Sequence, residues 1–396
     1  MLEFRDCLQK LQIPETYEAE IEPGWDDEPG SAEFLAPEFI VRYGSIAGFK
    51  PEELDRLAAF ARKLEAIPAA RALAVHAAQV FRDGDVGRFP RWPEIIPALG
   101  PDTGMFYLLV GLSIIPDYFI ALERLGIPAK YAAAAATRFS TLTVYFAENC
   151  QGAFGILPRS LPFMRHYKNG THFRIGRFDF QEYRYPENYP RFFRRRGSRE
   201  TALLCGPGCP VAADGLLVRH EHPESEAAFI SEFTETADVW RGSAITSDGR
   251  VSSEPPVELS KQEWEAVVSP DMPAAGIHIP GGGGMTREIV DSTLAEAGEF
   301  FVRYREPVPV FTCVSWVLNT DLAERMPQSN LAEFQKRGFL FPVRSSQHGT
   351  DGLYFVFGRD DNRFSEYPRD NSMRRTFLSI LESGRLLRSG GILIPA

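Results

Sequence analysis

Through the first third of the chain, apolar residues recur every three or four positions, the spacing of one buried helix face. After Pro51, Leu54, Leu57, Ala61 and Leu64 mark one helix, and residues Ala69 to Phe81 mark a second. His76 within the second reads as a core or surface histidine rather than a ligand. Tyr118 to Leu125 gives a third, stopped by Gly126. Pro128 suits the first turn of a fourth, which runs through YAAAAATRFSTLTVYFAEN. Nothing before about Asn149 reads as strand-rich, so this portion is expected to be helical. Between Glu15 and Glu33 lie eight carboxylates and no Lys or Arg, broken by Pro23, Gly24, Pro29 and Gly30, which predicts a solvated loop.

The pattern changes near residue 155. THFRIGRFDFQEYRY alternates apolar and polar positions, the period of a half-buried strand, with Gly176 as a bulge. DVWRGSAITSDGRV predicts strands about a turn at Asp248-Gly249. KQEWEAV reads as a short helix or turn. A strand, AAGIHIP, then leads to a helix from Thr286 to Arg303, and VPVFTCVSWVL is the next strand. Asp321 to Arg337 is helical with a break at Pro327. FLFPVRS and GLYFVFG are expected as two closing strands. A last helix follows, capped between Asp370 and Ser372 and ended by Gly384.

At 396 residues the chain is long for one core, and the change in pattern divides it into a helical domain, about 1–155, and an α/β domain, about 160–396. The net charge of −10 argues against generic nucleic-acid binding, because phosphate is repelled before a base is read. Ten Lys or Arg against three Asp or Glu between Arg165 and Arg199 form a local exception, which reads as an anion-facing hairpin or a solvated loop. The apolar run Met105 to Ile115 stops at Pro116, short of the about 20 residues a bilayer requires. The N-terminus, MLEFRDCLQK, has no apolar signal core. A soluble, cytoplasmic protein with no membrane partner is expected. Five cysteines is an odd number for a disulfide framework; Cys205 and Cys209 in CGPGC read as a turn with incidental thiols, and no metal is expected.

The chemistry concentrates in HIPGGGGMT. A strand that runs through four glycines into a helix is an anion-binding device, because the first helical amides lack carbonyl partners and the helix dipole favours negative charge. Gly281, Gly282, Gly283 and Gly284, with Met285 and Thr286, are therefore candidates to cradle a phosphate. A P-loop would need Gly-Lys-Ser/Thr after the glycines, which is absent. A dinucleotide loop matches only in part. A hydrolase oxyanion loop would need a G-x-S-x-G elbow, which the chain lacks.

The segments HIPGGGGMT, CVSWVLN, SNLAEFQKRGFLFPV, GLYFVFG and the closing LRSGG resemble bacterial acyltransferase-domain proteins, which pair an N-terminal helical domain with a GNAT-like C-terminal domain. The resemblance implies an α+β fold, with a central, mostly antiparallel twisted sheet in the C-terminal domain. It implies an acyl-CoA co-substrate, with Ile277, Ile279, Pro280 and the glycine loop on the pantetheine and pyrophosphate, and an acyl group passed to an amine or hydroxyl of a small-molecule acceptor. The superfamily's R/Q-x-x-G-x-G/A loop is replaced by IPGGGGMT, and its proton-donating tyrosine falls on Phe334. The catalytic candidates are His278 as base and Cys313, Ser315 and Tyr354 for the leaving thiolate, Cys313 also as a nucleophile in a two-step route. The alternatives are a non-catalytic CoA-binding or sensing protein and a hydrolase.

Overall fold

The computed structural model describes residues 2–28, 30–150, 152–345 and 348–396. The chain divides into two compact units, residues 1–175 with 280–282, and residues 176–279 with 283–396.

The first unit is helical up to Lys168. Its helices include Pro37–Ile46, Pro51–Glu65, Pro68–Asp83, Thr103–Leu112, Ile115–Arg124, Ala129–Ala136, Arg138–Asn149 and Leu161–Lys168. Three of them begin with proline, whose missing N–H costs nothing at a first helical position. The expected acidic loop instead holds short helices, Glu15–Tyr17, Glu18–Ile21 and Glu33–Leu35. The apolar run 105–115 belongs to a helical stretch, Gly100–Arg124, that is long and apolar enough to cross a membrane by length and composition. Every residue of Thr103–Leu112 is nevertheless buried, so this stretch forms the core of the unit. His76 is buried, its Nε2 2.6 Å from the Ile21 carbonyl, and burial lowers its pKa, as suits a core histidine. A short strand, His172–Ile175, ends this part of the chain.

The second unit is built on a sheet in which the strands Phe178–Arg184, Pro273–His278, Val310–Ser315, Gly390–Pro395 and Phe339–Pro342 lie side by side in that order. Neighbours are antiparallel except Pro273–His278 and Val310–Ser315, which are parallel. The parallel pair is joined by the helix Arg287–Tyr304, as a parallel connection requires. That helix buries Val290, Thr293, Ala297, Phe300 and Phe301. Phe301 meets Phe180 and Phe311 with ring centroids 6.3 Å apart in both pairs, which fixes one face of the sheet beneath it. Ile289, next to the buried Val290, is 40% exposed.

Four local expectations are corrected. GLYFVFG is a short helix, Leu353–Phe357, set between left-handed glycines at Gly352 (φ 85°) and Gly358 (φ 72°). The closing strand is Gly390–Pro395, a six-residue apolar segment flanked by glycine and proline that the alternation did not reveal. Trp264–Val268 is a strand, paired with Arg191–Arg195. Gly176 (φ 51°) makes a turn rather than a bulge; a Cβ there would lie 2.5 Å from Thr293 Oγ1.

Candidate functional site

The parallel ladder between Pro273–His278 and Val310–Ser315 holds two residue pairs, Ala275 with Phe311 and Gly276 with Thr312. Ile277 and His278 lie beyond the last pair. Val310–Ser315 remains paired on its other side as far as Ser315 with Gly390, and Pro273–His278 remains paired with Phe178–Arg184 as far as His278 with Asp179. The two central strands therefore part at Gly276 and Thr312, and a wedge opens inside the sheet.

Side chains of a strand alternate between faces, and residues opposite one another in a ladder share a face. One face carries Phe178, Phe180 and Ile277 with Phe311 and Cys313, under the helix. The other carries Asp179, Gln181 and Tyr183, then Gly276 and His278, then Thr312 and Val314. On this second face His278 Nε2 lies 3.0 Å from Gln181 Oε1. Because an amide oxygen only accepts, Nε2 is the donor in that contact. Asp179, register partner of His278, is fully buried. Tyr183 reaches across Gly276 to share a hydrogen bond with Thr312 Oγ1. A Cβ on Gly276 would come to 3.4 Å from the Tyr183 ring, an ordinary contact distance, so the ring lies over this position. Burial pushes the Tyr183 phenol well above its ordinary value.

Past Ile279 and Pro280 the chain enters the four glycines. Gly282 (φ 70°) and Gly283 (φ 68°) take the left-handed conformation that costs other residues about 1–2 kcal/mol. Cβ atoms added at Gly281 or Gly282 would meet nothing within 4 Å. Met285 is half-buried. Thr286 caps the helix, its hydroxyl accepting from the Ile289 amide at 3.5 Å. Arg177 donates from Nε to the Gly284 carbonyl at 3.3 Å, which sets a guanidinium beside the loop. Arg337 donates to the Arg287 carbonyl at 3.1 Å in the first helical turn and pairs with Asp291.

Of the sequence candidates, Ile277 and His278 lie past the point where the strands part, and the glycine loop follows them directly in the chain. Cys313 alternates with Thr312 and Val314, so its thiol turns to the face opposite His278. Burial pushes that thiol up to about 12, the setting of a core cysteine rather than a nucleophile. Ser315 Oγ accepts from the Val317 amide at 3.4 Å and caps the following turn. Tyr354 sits on the helix Leu353–Phe357, not on a strand of the sheet. Phe334 is buried against Phe178, ring centroids 5.8 Å apart. Sequence reasoning missed Asp179, Gln181, Tyr183, Thr312 and Arg177. The signal for the first three was the polar half of the alternation in FDFQEYR, of which only the apolar half had been used.

The arginine-rich segment 191–196 faces carboxylates. Arg194 pairs with Glu265 at 2.7 Å, Arg195 with Glu200 and Glu263 at 2.9 Å, and Arg196 with Glu265 at 3.3 Å. Cys205 and Cys209 share a small core with Val211, Leu217 and Val251. Among the described residues no group of three or more His, Cys, Asp or Glu could hold a metal ion.

Comparison with curated proteins gives no match. Among solved structures, the chain is similar to an acyltransferase in complex with decanoyl-CoA and teicoplanin, with 17% identity, TM-score 0.61 and coverage of 99% of this chain and 98% of that one. A mutant acyltransferase in complex with octanoyl-CoA matches with the same identity, coverage and TM-score. An acyltransferase in complex with decanoyl-CoA matches at 17% identity and TM-score 0.58, over 99% of both chains. These likenesses concern the fold. A family model described as the GNAT-like C-terminal domain matches residues 172–393, more than half of the sequence, including both strands that form the wedge. The chain belongs to the GNAT-like C-terminal domain family.

Proposed function

We propose that this protein is an acyl-CoA-dependent acyltransferase that passes an acyl group to an amine or hydroxyl of a small-molecule acceptor. The observation that carries the reading is the parting of the two parallel strands at Gly276 and Thr312, followed directly by the glycine loop. A strand edge that loses its partner inside a sheet presents amides and carbonyls that need new ones. Pantetheine, with two amide groups in an extended chain, supplies them. Its pyrophosphate then reaches the glycines, where a backbone without Cβ atoms and the helix N-terminus meet negative charge. Arg177 adds a cation on the same side.

In this arrangement the thioester lies at the base of the wedge. The acceptor nitrogen or oxygen attacks the carbonyl carbon, the new bond forms, and the C–S bond breaks to release CoA. His278, held through Gln181, takes the acceptor's proton. Cys313, turned to the other face, takes no part in this direct transfer. The fold family replaces the hydrolase alternative. The absence of a hydroxyl at Phe334 favours one second reading, a CoA-binding protein without turnover.

Two measurements test the proposal. Native mass spectrometry and titration calorimetry with CoA should show one bound CoA per chain at micromolar affinity. Release of free thiol from octanoyl-CoA and decanoyl-CoA, in the presence of a panel of primary amines and alcohols, should exceed the rate without acceptor. CoA binding without acceptor-dependent release would favour the second reading, and no CoA binding would overturn both. His278→Ala should remove acceptor-dependent release and leave CoA affinity unchanged.

A further inference from the structure

Breaking the C–S bond leaves negative charge on a sulfur beside the buried Thr312, where an unpaired anion is costly. Phe334 has no proton to give. Ser315 alternates with Thr312 and Val314 and so turns, like Cys313, to the face opposite His278, and Tyr354 stands outside the sheet. At the point where the strands part, the sheet face that carries His278 offers two hydroxyls, those of Tyr183 and Thr312, already hydrogen-bonded to each other across Gly276.

We propose that Tyr183 protonates the departing CoA thiolate and that Thr312 positions it. The inference rests on the acyl-CoA reading of the wedge. Its geometry is that of three adjacent strands: Tyr183 on the first, the side-chain gap of Gly276 on the second, and Thr312 on the third. A phenol that spans the central strand and meets Thr312 lies where the wedge begins, with its ring over the position of Gly276.

The step balances without another reactant. The acceptor's lone pair forms the bond to the carbonyl carbon, and the C–S electron pair leaves with sulfur. The phenolic proton passes to sulfur to give the thiol. Thr312 then donates its hydroxyl proton in a hydrogen bond to the phenolate, which regains a proton from the one lost by the acceptor, by way of His278 or solvent. Burial keeps the phenol protonated beforehand, so the donor is loaded at neutral pH. The titratable groups that interact with it include the Tyr185 and Tyr189 phenols and the Cys313 thiol, all raised by burial and uncharged over the same range.

A donor that stabilises thiolate in the reaction also lowers the pKa of bound CoA itself, so the test needs no acceptor. Wild type and Tyr183→Phe are each titrated with pH while bound to CoA, following thiolate ultraviolet absorbance. The same titration with desulfo-CoA is subtracted to cancel protein tyrosinate. The ionisation constant of bound CoA should fall about tenfold in Tyr183→Phe, a full unit upward in thiol pKa. Affinity for desulfo-CoA should stay within twofold. Thr312→Val, which keeps the side-chain shape and removes the hydroxyl, should produce a smaller shift in the same direction. An unchanged ionisation constant in both variants, with CoA bound as in wild type, overturns the role of Tyr183 and leaves the acyl-CoA reading standing. A wild type that binds no CoA removes that reading as well.

Discussion

The strand Val310–Ser315 has two neighbours, and the sheet treats them differently. Along Gly390–Pro395 the ladder runs through every residue, from Val310 with Pro395 to Ser315 with Gly390, and continues into Phe339–Pro342. Along Pro273–His278 it stops after two pairs. Glycine occurs beside both edges for opposite reasons. On the closed side a Cβ on Gly391 would lie 2.3 Å from the Phe341 ring, and one on Gly338 would lie 2.2 Å from the Leu393 carbonyl oxygen. There glycine lets chains touch. On the open side, Gly281 and Gly282 have nothing within 4 Å of a Cβ. There glycine leaves space, and an open backbone without Cβ atoms ahead of a helix start is the form a phosphate site takes.

The largest effect expected comes from charging the closed side from within. The Cys313 thiol rises from an ordinary 9.0 to about 12 in the folded chain. Because its folded pKa is the higher one, the contribution to stability is complete below pH 9 and is lost as the unfolded chain ionises between 9 and 12. Each unit in that window costs about 1.4 kcal/mol, so roughly 3 kcal/mol is gone by about pH 11. Chemical denaturation of wild type and Cys313→Ala across this range should show the steeper loss in wild type. Parallel curves would mean that the thiol is solvated. Next in size, Gly338→Ala should cost about 2 kcal/mol, since the added carbon meets main-chain atoms of Leu393 and not a side chain that can turn away. A thermal melt within a degree or two of wild type would show that the closed edge slides.

How much of this was visible in the sequence depends on which kind of signal each feature left. The helical first unit, the glycine strand and its helix, and the capped last helix announce themselves by period and by end residues such as Thr286 and Asn371, both of which accept from amides in the first turn. GLYFVFG misled because five apolar residues in a row carry no period; two left-handed glycines, not hydrophobicity, decide that it coils. GGILIP was missed for its shortness, although it holds the middle of the closed side. The wedge itself left no mark, since where two parallel strands part depends on register between segments more than thirty residues apart. Cys313 and Tyr183 show the same limit from two sides. Both lie on strands that periodicity or alternation identified, but only the register tells which face each one takes.

On the open side the comparison sharpens to affinity. Gly283→Asp places a carboxylate beside Arg177, whose Nε would lie 3.4 Å from the new Cβ. The aspartate would occupy the guanidinium and repel phosphate. CoA affinity measured by titration calorimetry should weaken at least tenfold, about 1.4 kcal/mol. Folding should change little, since aspartate tolerates the left-handed conformation better than most residues. Equal affinity in a folded variant would remove the glycine loop from the CoA site.

The smallest effect decides the comparison most directly, because it repeats the glycine-to-alanine change of position 338 on the other edge. Gly281 has no left-handed φ to protect and no atom within 4 Å of where a Cβ would go. Removing glycine's backbone freedom from the unfolded chain is worth a few tenths of a kcal/mol in favour of the fold when the folded conformation accepts a side chain. Gly281→Ala should therefore leave stability within about 0.5 kcal/mol of wild type, on the stabilising side. Its effect should appear instead in CoA affinity, since the new methyl takes up the space through which a phosphate would approach the backbone. A clear loss of stability would mean that this glycine, like Gly338, is there for packing. Neutral stability together with weaker CoA binding would show that the two edges of one strand use the same residue for contrary purposes.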